Sequence, residues 1–103
     1  MSVLLEFAMF PTDKGGSVSA YVSKVIDMIR SSGAAYRLTP MGTIVETETM
    51  EAALEIVRQA YEVLEPVSER IYCSAKFDIR KGTKNRMDAK IASIEAKIGE
   101  VTQ

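Results

Sequence analysis

Apolar residues fill both parities of the opening run VLLEFAMF. Val3, Leu5, Phe7 and Met9 share one side; Leu4, Ala8 and Phe10 share the other with Glu6. This predicts a strand over residues 3–10 that is covered on both faces. PTDKGG (11–16) follows as a loop by its Pro and Gly content. The spacing then turns helical. Val18, Val22, Val25, Ile26 and Ile29 form one stripe, with Ser17 or Ser19 as the cap and Gly33 as a left-handed stop.

YRLTPMGTIVE (36–46) reads as two short strands, 36–38 and 42–47, interrupted at TPMG. Pro40 suits the first corner of a turn and Gly42 its close. A type I turn is not the favoured two-residue hairpin turn, so a longer loop or a bulge is expected. Thr39, Thr43 and Glu46 surround the break, as parts of an ordinary turn or of a small polar pocket. Thr49 opens a second helix carrying Met50, Ala53, Leu54, Val57, Tyr61 and Leu64, which Pro66 ends. RIYCSAKFDIR (70–80) alternates strictly. Ile71, Cys73, Ala75, Phe77 and Ile79 face the domain's own core, and Tyr72, Ser74, Lys76, Asp78 and Arg80 face away. A last helix from about Arg86 bears the narrow stripe Met87, Ile91, Ile94, Ile98 and Val101, the pattern of a helix laid on a partner helix or groove.

The order strand, helix, strand, strand, helix, strand spells the split β-α-β arrangement of an α+β, ferredoxin-like domain spanning 1–103, with an added C-terminal helix. Both long helices cover one face of a four-stranded antiparallel sheet. In that topology the first and last strands are neighbours. Leu4, Glu6, Ala8 and Phe10 therefore share the open face with Tyr72, Ser74, Lys76 and Asp78, and Glu6 and Lys76 can meet there. Leaving Leu4 and Phe10 in water forgoes about 25 cal/mol per Å² of apolar area. A second copy is therefore expected on this face, giving a dimer or larger.

Composition narrows the chemistry. At 103 residues, with 47% hydrophobic and 26% charged residues, the chain is one soluble globular domain. No apolar run spans a membrane, and the N-terminal segment lacks a basic flank, so a cytoplasmic protein is expected. It has no His and a single Cys, Cys73. That removes His-based nucleophilic catalysis and the usual zinc sites, and it leaves no catalytic or metal residues to nominate. Cys73 reads as a small buried apolar residue. A net charge of −1 and a pI near 5.5 give no general attraction to nucleic acid. Acids dominate residues 46–69 and bases dominate 76–90, either as solvated faces or as complementary faces of two subunits.

The strings EFAMFPTDKGGSVSAYV, GAAYRLTPMGTIVE and AKFDIRKG resemble a family of small thiamine-binding proteins, nearly end to end. The resemblance implies a ferredoxin-like subunit that assembles sheet to sheet into a homodimer and then a homotetramer. It further implies a pocket near a subunit interface that binds thiamine or its hydroxymethylpyrimidine part without reaction and without a required cofactor. Glu46 would accept from the exocyclic amine and offset positive charge. Thr39 and Thr43 would serve as donors or acceptors, and Ser17 and Ser19 would extend the polar lining. Phe7, Phe10 or Tyr72 would stack on a ring, and Glu6 and Phe10 complete the candidate set on the open face. Two departures stand out: PTDKGG in the first loop, and VETE after the second strand pair.

Overall fold

The computed structural model describes residues 1–103. The elements are β1 (Ser2–Pro11), α1 (Ser19–Ser32), β2 (Ala35–Thr39), β3 (Gly42–Thr47), α2 (Met50–Leu64), a short 3-10 turn (Glu65–Val67), β4 (Ile71–Arg80) and α3 (Arg86–Ile98). The strands form one antiparallel sheet in the order β2-β3-β1-β4, the expected ferredoxin-like topology. β1 is central because it is apolar on both sides. Its Val3, Leu5, Phe7 and Met9 enter the core beneath the helices. There Leu5, Phe7 and Met9 meet Val25 and Ile29 of α1, Val45 of β3, and Ile56, Ala60 and Leu64 of α2.

Local sequence explains most boundaries. Thr49 caps α2, its hydroxyl accepting the Ala52 N–H at 3.1 Å. Gly33 stops α1 with φ 79°. The start of α1 departs from the sequence reading, since neither Ser17 nor Ser19 caps it. Val18 takes that position, its carbonyl accepting the N–H groups of Tyr21 and Val22, with no side-chain cap. On α2 the fully buried positions are Ala53, Ile56, Ala60 and Leu64, while Leu54 and Tyr61 of the expected stripe remain about half exposed.

The hairpin is tighter than expected. Thr39 pairs directly with Gly42, leaving only Pro40 and Met41 as the link. Neither has positive φ, so the turn is not of the primed kind usual in two-residue hairpins. The Thr39 hydroxyl braces it, accepting from the Met41 N–H at 3.3 Å and donating to the Gly42 carbonyl at 2.8 Å.

β4 differs from expectation on its helix side. Only Ile71 and Phe77 are half-buried there, and Cys73, Ala75 and Ile79 are exposed. The reason is geometric: β4 is the sheet edge, α1 packs over β1 and β2, and α2 packs chiefly over β1 and β3. α3 keeps to its first turn for docking. Met87 and Ile91 are half-buried, whereas Ile94 and Ile98 project into solvent.

Candidate functional site

The registers decide where the candidate residues stand. β1 pairs with β3 only from Val3↔Thr47 to Phe7↔Thr43. From Ala8 onward β1 has no neighbour on that side, because the hairpin has already turned at Pro40–Met41. A cleft of about 280 Å³ occupies the gap between the N-terminal half of α1, the end of β1 and the hairpin. Its walls include Phe7, Phe10, Val18, Val22, Thr39 and Thr43, and none of its lining residues is charged. Gly42 makes the close approach: a Cβ there would stand 3.1 Å from the Phe7 carbonyl oxygen.

Polar groups in this cleft are few. The Thr39 hydroxyl is committed to the turn. Thr43 is 5% exposed; its hydroxyl enters none of the chain's hydrogen bonds and is not sealed from the cleft. Backbone N–H and C=O groups on the unpaired side of β1 at Ala8–Phe10 supply the remaining polarity. Phe10 also contacts Tyr72 across the β1–β4 ladder, with ring centroids 5.6 Å apart and planes tilted by 37°. A second, larger groove of about 710 Å³ adjoins the first along Val22, Ile26 and Leu38. It carries Ser19, Ser23, Lys24, Asp27 and Arg30, with Asp27 and Arg30 paired to each other.

Glu46 stands elsewhere. It pairs with Leu4, three residues before Phe7 of the cleft wall, a separation of about 10 Å at about 3.3 Å per strand residue. Alternation sets it on the open face, opposite in sense to Thr43. There its carboxylate accepts the Arg86 N–H at 2.9 Å, the Met87 N–H at 3.0 Å and the Ser2 hydroxyl at 2.7 Å. It therefore caps α3 from a distant strand. Burial works against its charge, but the hydrogen bonds from Ser2, Met87 and Arg86, with the Arg86 charge, outweigh that and hold its carboxyl below the ordinary range.

The buried Arg86 side chain completes the clamp. It donates to the Ser2 hydroxyl at 3.1 Å, to the Ser2 carbonyl at 3.0 Å and to the Asp78 carbonyl, and it pairs with the Asp78 carboxylate at 3.0 Å. Lys90 reaches the same carboxylate at 3.0 Å, and hydrogen bonds from Lys90 and Arg86 lower the Asp78 carboxyl. Ser2 and Arg86 escaped the sequence reading because neither position carries a local pattern. Only the alternation of Ser2 with Leu4 hinted at its face.

The remaining candidates separate. Ser17 is exposed in the loop before α1. Ser19 lines the outer groove and not the cleft. Glu6 lies on the open face and pairs with Lys76 at 2.8 Å, as their facing positions in the register require. Thus Thr39, Thr43 and Phe10 come together, with Phe7 as a further wall, while Glu46, Glu6, Ser17 and Ser19 do not join them. Val18, Val22 and the β1 edge are the lining that sequence reasoning missed. No group of His, Cys, Asp or Glu is arranged to hold a metal ion. No helix is long and apolar enough to cross a membrane.

Residues 5–95 match the model of the thiamine-binding protein family. The chain belongs to that family. It is 31% identical over 83 residues to a UPF0045 protein of Methanothermobacter thermautotrophicus, covering 80% of this chain and 84% of that protein. A UPF0045 protein of Mycobacterium bovis is 30% identical over 95 residues, covering 92% and 93%. Among solved structures, a protein of Methanocaldococcus jannaschii superposes with a TM-score of 0.81 at 29% identity, covering 90% of this chain and 95% of that one. A Thermotoga maritima protein, described as a candidate for thiamine biosynthesis or salvage, superposes at 0.79 with 22% identity, covering 91% and 99%. This last similarity bears on the fold. As a thiamine-binding family member the chain carries a binding role.

Proposed function

We propose that this protein is a non-enzymatic, oligomeric binder of thiamine or its hydroxymethylpyrimidine moiety, and that the cleft between α1 and the β2–β3 hairpin receives the pyrimidine ring. The observation that carries this reading is the uncharged lining of that cleft beside an unpaired strand edge. A neutral aminopyrimidine fits such a site. Phe7 and Phe10 offer apolar and aromatic surface. The Thr43 hydroxyl and the β1 backbone can match the donor and acceptor edges of the ring. The thiazolium cation of thiamine would be unpaired inside, so it belongs outward, toward solvent. A second copy on the open face is part of this reading, because Leu4, Ile44 and Phe10 stay only half-buried there.

Isothermal titration with thiamine, thiamine monophosphate and hydroxymethylpyrimidine tests the proposal. Saturable heat with at least one of them is expected, and silence with all three, together with an unchanged melting temperature, refutes it. The rival reading is a structural or regulatory oligomer whose pocket is vestigial or serves another small molecule. It draws on one fact: Glu46, the carboxylate best suited to a cationic ligand, is engaged in anchoring α3.

A further inference from the structure

The cleft and the outer groove meet at the start of α1. Val18 lines the cleft, Ser19 lines the groove, and Val22 lines both. A ring seated in the cleft therefore carries an outward substituent past the first turn of this helix. Inside the cleft, Thr43 is only 5% exposed, yet its hydroxyl has no partner in the chain and is not sealed off. A group so placed is one a polar ligand would satisfy.

The first turn of α1 suits an anion. The helix is 14 residues long, has no side-chain cap and carries no acid in that turn. Neither the Ser19 nor the Ala20 N–H finds an acceptor within the chain. Both stay open donors at the positive end of the helix dipole. The Ser23 hydroxyl donates to the Ala20 carbonyl, whereas that of Ser19 is unengaged. The one acid of the preceding loop, Asp13, accepts from the Ser68 hydroxyl and the Glu69 N–H instead. In the groove Asp27 is paired with Arg30, and Lys24 enters no ion pair. The groove therefore carries one net positive charge.

A thiazolium cation gains nothing beside Lys24 and the positive end of a helix. A phosphate one methylene away from a ring in the cleft gains from both. We propose that the preferred ligand is the phosphomonoester of the hydroxymethylpyrimidine. Its ring sits beside Thr43, and its phosphate sits on the Ser19 and Ala20 N–H groups, the Ser19 hydroxyl and Lys24. The assignment rests on the cleft being the pyrimidine pocket, and it adds the phosphorylation state of the ligand and the residues that read it.

Paired titrations of the full chain with hydroxymethylpyrimidine and its monophosphate test it. Charge-assisted hydrogen bonds should make the monophosphate bind about ten-fold tighter. Lys24→Gln should cut that ratio to about three-fold, because it removes one exposed charge, and added salt should shrink it as well. Thr43→Val should weaken both ligands by like factors and keep the ratio. Thiamine monophosphate should gain less over thiamine, since its phosphate lies beyond the thiazolium ring. Equal affinity for the pyrimidine and its monophosphate overturns the proposal and leaves the pyrimidine pocket standing. A ratio untouched by Lys24→Gln overturns it too, as does a larger gain for thiamine monophosphate. Failure of both pyrimidines to bind removes the pocket reading, and this assignment with it.

Discussion

The carboxylate of Glu46 and the backbone N–H of Arg86 are 2.9 Å apart although 40 positions separate them in the chain. This bond, with its neighbour to Met87, makes a strand residue the N-terminal cap of α3. The helix lacks a side-chain cap of its own, for Asn85 sits in the left-handed region with φ 54° and makes none. Replacing Glu46 by Ala would strand two N–H groups at a helix start and remove a partner from the buried Arg86 cluster. We expect a loss of about 1–3 kcal/mol in denaturant unfolding. Faster amide exchange confined to α3 should accompany it. Glu46→Gln should keep part of the cap and leave ligand affinity unchanged.

The same clamp responds to acid. Glu46 is held below its ordinary value of 4.5 and Asp78 below 3.8. Groups depressed on folding contribute stability that is fully present above the ordinary value and is lost as pH falls through the lowered one. α3 should therefore stay docked at neutral pH and detach only below about pH 4.5. Intensity changes at Met87 and Ile91 during an NMR pH titration, ahead of global unfolding, would show it. Detachment between pH 5 and 7 would contradict the assignment.

Gly42 sits where a Cβ would press on the Phe7 carbonyl at 3.1 Å. Gly42→Ala should push the hairpin away from β1, costing about 1–3 kcal/mol as other overpacked sites do. The cleft mouth changes shape at the same time, so ligand affinity should fall too. A variant that unfolds at the wild-type midpoint and binds normally would show that the hairpin yields freely.

Thr43→Val keeps the volume of a buried residue and removes the one hydroxyl left open to the cleft. A neutral hydrogen bond of about 1 kcal/mol corresponds to roughly a five-fold loss of affinity for hydroxymethylpyrimidine by titration. Thr39→Val, by contrast, should act on stability first, because its hydroxyl braces the turn through two bonds.

In the core, Leu5 is fully buried at the centre of β1. Leu5→Ala should cost about 2–5 kcal/mol through lost contacts and the cavity left behind. The denaturation midpoint measures this directly. A cost below 1 kcal/mol would mean that the sheet collapses around the gap.

The sequence by itself determined the order and type of every strand and α-helix, since periods of two and near 3.6 residues report which side of each segment is apolar. The two-faced pattern of β1 placed it centrally. The topology set β1 beside β4, so Glu6 and Lys76 share the open face, and the register that makes them direct partners came from the tertiary structure. Capping followed sequence only where it is a local matter, as at Thr49 and Gly33. Tertiary structure decided everything that depends on lengths set against one another. The hairpin ends before β1 does, and that difference opens the cleft and gathers Phe10, Thr39 and Thr43. The family resemblance makes Glu46 a pocket candidate, although alternation already sets it opposite Thr43 unless the strand bulges. β3 has no bulge, and the N–H groups at the start of α3 took up its charge. The exposure of Cys73 was likewise out of reach, because alternation tells which side a residue faces and not how far the helices extend over the sheet edge.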